Sequence, residues 1–214
     1  MDDDRRLTER LARDLDAAFE ALVTAHQDRC YSIALRVLGD PADAEEVAQD
    51  ALVRAYRALA SYDAARITTL RLRPWLAAIV VNLARNRRRN RADREPAFAI
   101  SVPSVAEAVD RSAAGRAGAS REGDPHAAAA HAEDRRELEA ALATLTPTIR
   151  EAVVLRHIAG LSTTETAEAL GRPEGTIKAQ VHRGLAALRL RLTLPADSAT
   201  IPAPARPALA GVTR

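Results

Sequence analysis

Ser162–Leu188 reads STTETAEALGRPEGTIKAQVHRGLAAL. Ser162 followed three residues later by Glu165 has the pattern of a capping box, in which the serine caps a helix start and the glutamate reaches back to it. The helix so opened stops at Gly171, and Pro173 suits the first turn of the next helix, where a missing N–H costs nothing. On that second helix Ile177, Val181, Leu185 and Leu188 recur at i, i+4, i+8 and i+11 and make one apolar stripe. At about 100° per residue, Lys178, Ala179, His182 and Arg183 fall on a separate arc. A short capped helix, a three-residue turn and a longer helix buried on one stripe compose a helix-turn-helix. Cations around a small residue, near the N-terminal end of the free face, suit a DNA major groove. Cations meet phosphates and guanine edges, and the small residue permits close approach. The bland alternative is the solvated face of a bundle helix; the cap, turn and long helix together weigh against it.

The rest of the chain agrees with a helical protein. Hydrophobic residues make up 47% of its 214 positions but aromatics only 3%. A core must therefore be built from Ala, Leu, Val and Ile. Abundant Ala, Leu, Arg and Glu lose little rotamer freedom in a helix, and no alternating apolar run argues for a sheet. The expected fold class is all-α. The net charge of +2 hides segregation: acids gather around Asp40 to Asp50, arginines around Arg85 to Arg94 and in the last long helix. That pattern suggests an acidic face for one partner and basic faces for nucleic acid. Cys30 is the only cysteine, so no intrachain disulfide forms. The start, MDDDRRLTER, is charged and unlike a signal peptide, and no apolar run approaches the ~20 residues that span a bilayer. A cytoplasmic protein without membrane insertion is expected.

Punctuation divides the chain. A first helical block is expected over residues 11–91, a linker over 92–124, a second helical block over 125–192 and a Pro/Ala-rich tail over 193–214. In the first block, Gly39 ends one helix, and Asp40-Pro41 opens another as N-cap and first residue. SYDAARITTLRLR, residues 61–73, has no clear period and reads as a loop. Pro74 starts a third helix. The linker is rich in Ala, Ser, Gly, Pro and charge and offers little apolar surface. Asp124-Pro125 repeats the opening signal.

Two faces of the first block invite partners. On the helix from Pro41 to Ala60, residues Ala44, Val47, Ala48, Ala51, Leu52, Ala55, Ala58 and Leu59 share one side, the expected core. Glu46, Gln49, Asp50, Val53 and Arg57 share the other, which suits docking to a basic protein surface. In the third helix, Trp75, Leu76, Ile79, Val80 and Leu83 are apolar, Asn82 and Asn86 interrupt them, and six arginines lie between Arg85 and Arg94. A helix C-terminus needs fewer cations than that, so a phosphate contact is favoured. The Asn82 amide offers both a donor and an acceptor to a base edge. His126 and His131 lie in an Ala-rich stretch without metal-ligand spacing, and no nucleophile motif is present. No metal, cofactor or enzymatic activity is expected.

In this order, an acidic helix, a Trp helix running into arginines, a linker and a C-terminal helix-turn-helix, the chain resembles bacterial sigma factors of the extracytoplasmic-function (ECF) group within the sigma-70 family. DAEEVAQDALVRAYRAL (residues 43–59) looks like the family's core-polymerase docking segment, and RPWLAAIVVNLARNRRRN (residues 73–90) is similar to its promoter-melting helix. LATLTPTIREAVVLRHIAGLSTTETAEALGRPEGTIKAQVHRGLAALR (residues 142–189) resembles its C-terminal DNA-binding region. The resemblance implies two small helical domains, a region 2 bundle and a region 4 helix-turn-helix, on a flexible linker. It implies binding to core RNA polymerase, at its β′ clamp helices and β flap, and to promoter DNA, and it leaves an anti-sigma factor as a further partner to be sought. Glu46, Gln49 and Asp50 would dock on the clamp helices. Tyr62, Asn82 and Arg85 would serve the −10 element, with a flipped base held by the loop over 61–73. Lys178, Ala179, His182 and Arg183 would face the −35 element, and Thr176 and Gln180 would touch its phosphates. Ala179 and Gln180 stand where Ser and Arg are common in the family. The competing reading is a helix-turn-helix operator-binding transcription regulator that acts as a dimer; the acidic face and the Trp-to-Arg helix argue against it.

Overall fold

The computed structural model describes residues 2–94 and 125–193. The described residues form nine helices and no strand. In chain order they are α1 (Asp2–Arg13), α2 (Leu15–Leu38), α3 (Pro41–Ala60), α4 (Ala64–Thr68), α5 (Leu72–Arg94), α6 (Pro125–Thr144), α7 (Pro147–Val153, widening into a π-helical turn over Val154–Ile158), α8 (Thr163–Leu170) and α9 (Glu174–Thr193). None is long and apolar enough to cross a membrane.

Local chemistry sets most of these boundaries. Asp14 caps α2, its carboxylate accepting from the Ala17 N–H at 3.1 Å. Gly39, at φ 76°, closes that helix and donates its N–H to the Leu35 carbonyl. Asp40 then caps α3, accepting from the Asp43 N–H at 3.0 Å, with Pro41 in the first turn. The third long helix starts at Leu72, two residues ahead of Pro74, and runs to Arg94, past the expected boundary at residue 91. The remainder of the expected linker, 95–124, and the tail from 194 lie outside the described residues.

Helices α2, α3 and α5 pack on one another around Leu22, Ile33, Val37, Ala51, Ala55, Leu59, Val80 and Ala84, all buried. The small residues of α3 let it approach α2 closely, which explains a tight core with few aromatics. Two elements differ from the sequence expectation. The charged N-terminus is a helix, α1, whose Leu7 and Leu11 are buried one turn apart against α2 and α4. The stretch expected as loop contains α4, which Asp63 caps by accepting from the Arg66 N–H and which Ile67 anchors in the core.

The second domain sets α9 across α7. Gly184 makes that crossing possible: a methyl group there would lie 2.4 Å from Val153 Cγ2 and 2.9 Å from Ile149 Cγ2. Where α7 widens into the π turn, five successive residues, Glu151 to Leu155, are buried, which a regular helix with one apolar face does not do. Its carbonyls are taken by the Ala159 and Leu161 N–H groups, with Gly160 left-handed between them. The two domains touch directly, α2 and α5 of the first against the π turn, α7 and α8 of the second.

Candidate nucleic-acid interface

The helix-turn-helix is built by its caps. The Ser162 hydroxyl accepts from the Glu165 N–H at 3.1 Å, and the Glu165 carboxylate accepts from the Ser162 N–H at 2.7 Å, a complete capping box. Gly171 ends α8 in the left-handed region at φ 63°. The Thr164 hydroxyl then bonds Glu174 at 2.6 Å and ties the start of α8 to the start of α9.

A second set of bonds fixes how α9 is rotated. Arg172, in the turn, donates to the Thr148 carbonyl at 3.1 Å, to Gln180 Oε1 at 3.2 Å and to Glu151 Oε2 at 2.7 Å. Gln180 is only 7% exposed. It therefore faces inward, and the expectation that it touches DNA is corrected: its Oε1 accepts from Arg172 and helps to orient the turn. The inward side of α9 is Ile177, Gln180, Gly184 and Leu188, all buried, while Val181 and Leu185 are half-buried. The expected stripe was right in period but rotated, because a glycine and a glutamine occupy its centre. Thr176, Lys178, Ala179, His182 and Arg183 are all exposed. Arg183 Nε rests on the Ala179 carbonyl at 3.3 Å. The two positive side chains and the imidazole thus share one open surface over the first turns of α9.

In the first domain Asn82 is exposed, and its Oδ1 accepts weakly from Arg85 at 3.4 Å. Arg85 itself is not open. Its Nε and Nη2 donate to the two oxygens of Glu151 in α7 at 3.0 and 2.6 Å. The structure thus closes a residue expected at the −10 strand onto the second domain. Tyr62 is half-buried, 6.3 Å from the Trp75 ring and with the Arg66 guanidinium 3.7 Å over its face. A cavity of about 380 Å³ lies beside it, lined by Arg66, Thr69, Leu70, Arg71, Pro74, Trp75 and Ala78 of the first domain and by Glu168 and Ala169 of α8. Of the loop over 61–73, Arg66, Thr69, Leu70 and Arg71 line this hollow, while Tyr62 is not among its lining residues.

Glu151 was not singled out from sequence. It is 1% exposed. Burial alone pushes its carboxyl up, but Arg85 and Arg172 outweigh burial and hold it below the usual carboxylate range. A signal was present: Glu151 shares a face with Val154, Leu155 and Ile158 at i+3, i+4 and i+7. An acid on an apolar face requires a cation.

The face expected to dock a protein is open over most of its length. On α3, Glu46, Gln49, Asp50, Val53 and Arg57 are exposed. Glu46 is bound by Arg87 at 2.6 Å, which also holds Asp43 at 2.6 Å. Asp50 makes no ion pair among the described residues. The Arg87 and Arg91 side chains turn back onto Asp40, Asp43 and Glu46. Part of the arginine cluster is thus consumed in holding α5 to α3, a correction to its expected role as a phosphate-binding run. The side chains of Arg94, His126 and His131 lie outside the described residues. Among those described, no group of three or more metal-ligating side chains occurs.

Residues 22–94 match the Sigma-70 region 2 family and residues 135–188 the Sigma-70, region 4 family. The chain is 30% identical to the ECF RNA polymerase sigma factor SigW of Bacillus subtilis, over 82% of this chain and 89% of that one. It is 33% identical to the ECF RNA polymerase sigma factor SigE of Mycolicibacterium smegmatis over 80% of this chain and 60% of that relative's length. It is 30% identical to the ECF RNA polymerase sigma-E factor of Escherichia coli K12, over 86% and 92% of the two chains. Among solved structures, CnrH in complex with the cytosolic domain of CnrY superposes with a TM-score of 0.59 at 27% identity, covering 88% of this chain and 96% of that one. RpoE in complex with the anti-sigma factor NepR, from Bartonella quintana, shares the fold at a TM-score of 0.61 and 23% identity, over 82% and 97% of the chains.

Proposed function

The chain belongs to the sigma-70 family of RNA polymerase sigma factors, in the ECF group, and on that premise we propose a division of labour among its surfaces. The exposed side of α3 around Gln49 and Asp50 docks core polymerase. Asn82, Arg85 and the hollow beside Trp75 engage the −10 strand. Thr176, Lys178, Ala179, His182 and Arg183 engage the −35 duplex. The observation that carries this reading is the open arc on α9, set on a helix whose other side is pinned by Arg172, Gln180 and Gly184.

The physical sequence is simple. Docking brings both promoter-facing surfaces to one enzyme, so that the second DNA contact becomes intramolecular and gains from effective concentration. Phosphate contacts set register, while side chains on the α9 arc meet base edges in the major groove. Extruding a base costs stacking energy, which a walled hollow and nearby guanidinium groups offset. Sigma factors regulate initiation and are not catalysts, so these residues bind and position DNA without altering it. A protein partner of the anti-sigma kind is a further candidate, since the relative CnrH was solved with another protein's domain bound.

Run-off transcription with core polymerase on genomic fragments tests the reading and locates both promoter elements. Discrete transcripts that require both components support it. Tight sequence-specific binding to duplex DNA as a dimer, with no polymerase-dependent transcript, would replace it by the operator-binding reading. Arg183→Ala should weaken −35-dependent initiation by about 1–3 kcal/mol in the apparent promoter affinity, the range for a bidentate guanine contact. Equal transcription by the variant on a −35-dependent promoter removes Arg183 from the interface.

A further inference from the structure

The region 2 match begins at residue 22, so helix α1 lies ahead of it. The buried side of α1 is narrow. Leu7 and Leu11 are buried, and so is Thr8, whose hydroxyl donates to the Arg5 carbonyl at 2.8 Å. Among the described helices, α1 is the one against which α4 packs extensively. Helix α4 has five residues. So short a helix does not offset its own nucleation, and its place depends on what backs it. Asp63 caps it, Ile67 anchors it, and α1 supplies the packing. Arg66 of α4, with Thr69, Leu70 and Arg71 just after it, lines the hollow beside Trp75.

The facing wall is held from the same helix. Asp4 Oδ2 lies 3.0 Å from Nε of Arg73, in the first turn of α5. That turn has no acid of its own, and a cation there meets the positive end of the helix dipole. Asp4 supplies from α1 the negative charge that the turn lacks. Its other oxygen stands 3.7 Å from the buried His26 of α2. Pro74 and Trp75, directly after Arg73, line the hollow opposite α4.

We propose that α1 is a positioning element for this hollow: Leu7 and Leu11 back its α4 wall, and Asp4 fixes its Trp75 wall through Arg73. The inference rests on the sigma-factor reading, which places a base of the −10 strand there. An extruded base has already lost its stacking. A hollow that must first be assembled subtracts the cost of assembly from the binding as well. With α1 in place the walls are set before the strand arrives. The simpler alternative is that α1 only stabilises the fold. It predicts lower thermal stability when α1 is loosened, with strand affinity unchanged while the chain stays folded. The side chains of Asp4 and Arg73 are 27% and 43% exposed. Such a pair contributes little to overall stability, so removing it separates the two roles.

The test compares Asp4→Asn with Asp3→Asn, which removes the same charge from an exposed position one residue away. Trp75 is the only tryptophan and is half-buried in the wall. Acrylamide quenching of its fluorescence therefore reports on the hollow in the full chain. Run-off transcription with wild type supplies a promoter, and a labelled single strand carrying its −10 element gives the strand affinity of the holoenzyme. Asp4→Asn should leave Trp75 more readily quenched. It should weaken strand binding by about threefold, the loss when the assembled hollow falls from nearly all molecules to a third of them. Affinity for core polymerase, carried by the α3 face, should not change. Asp4→Glu keeps a carboxylate and should recover most of the strand binding. Circular dichroism checks that each variant keeps its helices. Quenching and strand affinity equal to those of Asp3→Asn would overturn the proposal. Altered quenching with unaltered strand affinity would overturn it too, since α1 would then only stabilise the fold. Wild-type transcripts with strand binding indifferent to Asp4 remove the positioning role alone; no transcripts at all remove the sigma assignment of the hollow.

Discussion

Glu46 and Asp50 stand one turn apart on α3, yet their electrostatic situations differ. Arg87 neutralises Glu46 at 2.6 Å, while Asp50 is exposed and pairs with no described residue. The partner-facing charge on this helix is therefore Asp50 more than Glu46. Asp50→Arg should lower affinity for core polymerase by at least about tenfold, through loss of one attraction and gain of one repulsion. Glu46→Ala should do less. Native-gel or fluorescence titration against core enzyme measures both, and an unchanged affinity for Asp50→Arg takes this position off the docking face. His26 shows a different residue-level effect. It is 2% exposed, and neither ring nitrogen finds a hydrogen bond. Burial lowers its pKa, only partly opposed by Asp4. Unfolded histidine protonates near its ordinary value of ~6.5. Below that value the unfolded chain takes up a proton that the folded ring resists, so stability is complete above ~6.5 and falls as pH drops toward the folded value. Urea unfolding of wild type between pH 7 and 5 should show this loss, and His26→Leu should lack that part of it. Parallel curves for the two proteins would refute the assignment. The neighbouring Cys30 thiol, pushed up to about 11 by burial, stays protonated throughout this range.

At the scale of elements, legibility followed how local the signal was. Caps and helix-breaking residues act within a few positions, so the ends of α2, α3, α8 and α9 could be read from Gly39, Asp40-Pro41, Ser162-Glu165 and Gly171 to Pro173. Helix α1 could not, because its buried apolar side chains are only Leu7 and Leu11, beside a buried Thr8, and a run of charges surrounds them. The inward turn of Gln180 was invisible for another reason: its partner Arg172 sits across a turn whose geometry only the fold supplies. Glycine 184 combines both cases. In the sequence it looks like a weak point in a helix; in the fold it is where α9 crosses α7. The clashing atoms are γ-methyls of Val153 and Ile149, stiff β-branched side chains that do not swing aside. Gly184→Ala should thus cost about 2 kcal/mol. That is the upper end of the overpacking range, ~3 kcal/mol, less ~1 kcal/mol from better helix propensity. Chemical denaturation measures it. A stabilised variant would show that the crossing is looser than these distances.

For the whole molecule, the arrangement of domains was the least legible level. Sequence patterns placed two helical units and their open faces, because amphipathic period is a property of each helix. They did not place Glu151 against Arg85, a pairing across 66 positions that no periodicity encodes. Through this contact, acid should loosen the hold between the domains. In the closed arrangement Arg85 and Arg172 together hold the Glu151 carboxyl low despite burial. Burial likewise raises Glu165, but its bonds to Ser162 and its pairing with Arg71 bring it below the usual value. Once the domains part, Glu151 retains only Arg172 and Glu165 only its cap, so both carboxyls bind protons more readily in the open form. Proton uptake therefore favours opening. The closed form keeps its full advantage above the open-form values and loses it as pH falls through the lower closed-form values. Scattering from pH 7 to 3 should show the radius of gyration rising at the acid end of this range while far-ultraviolet circular dichroism still reports intact helices. Glu151→Gln should be extended already at pH 7 and change less over the same interval. A wild-type radius that stays constant until helix is lost would mean that packing between α5 and α8, rather than these carboxylates, holds the domains together.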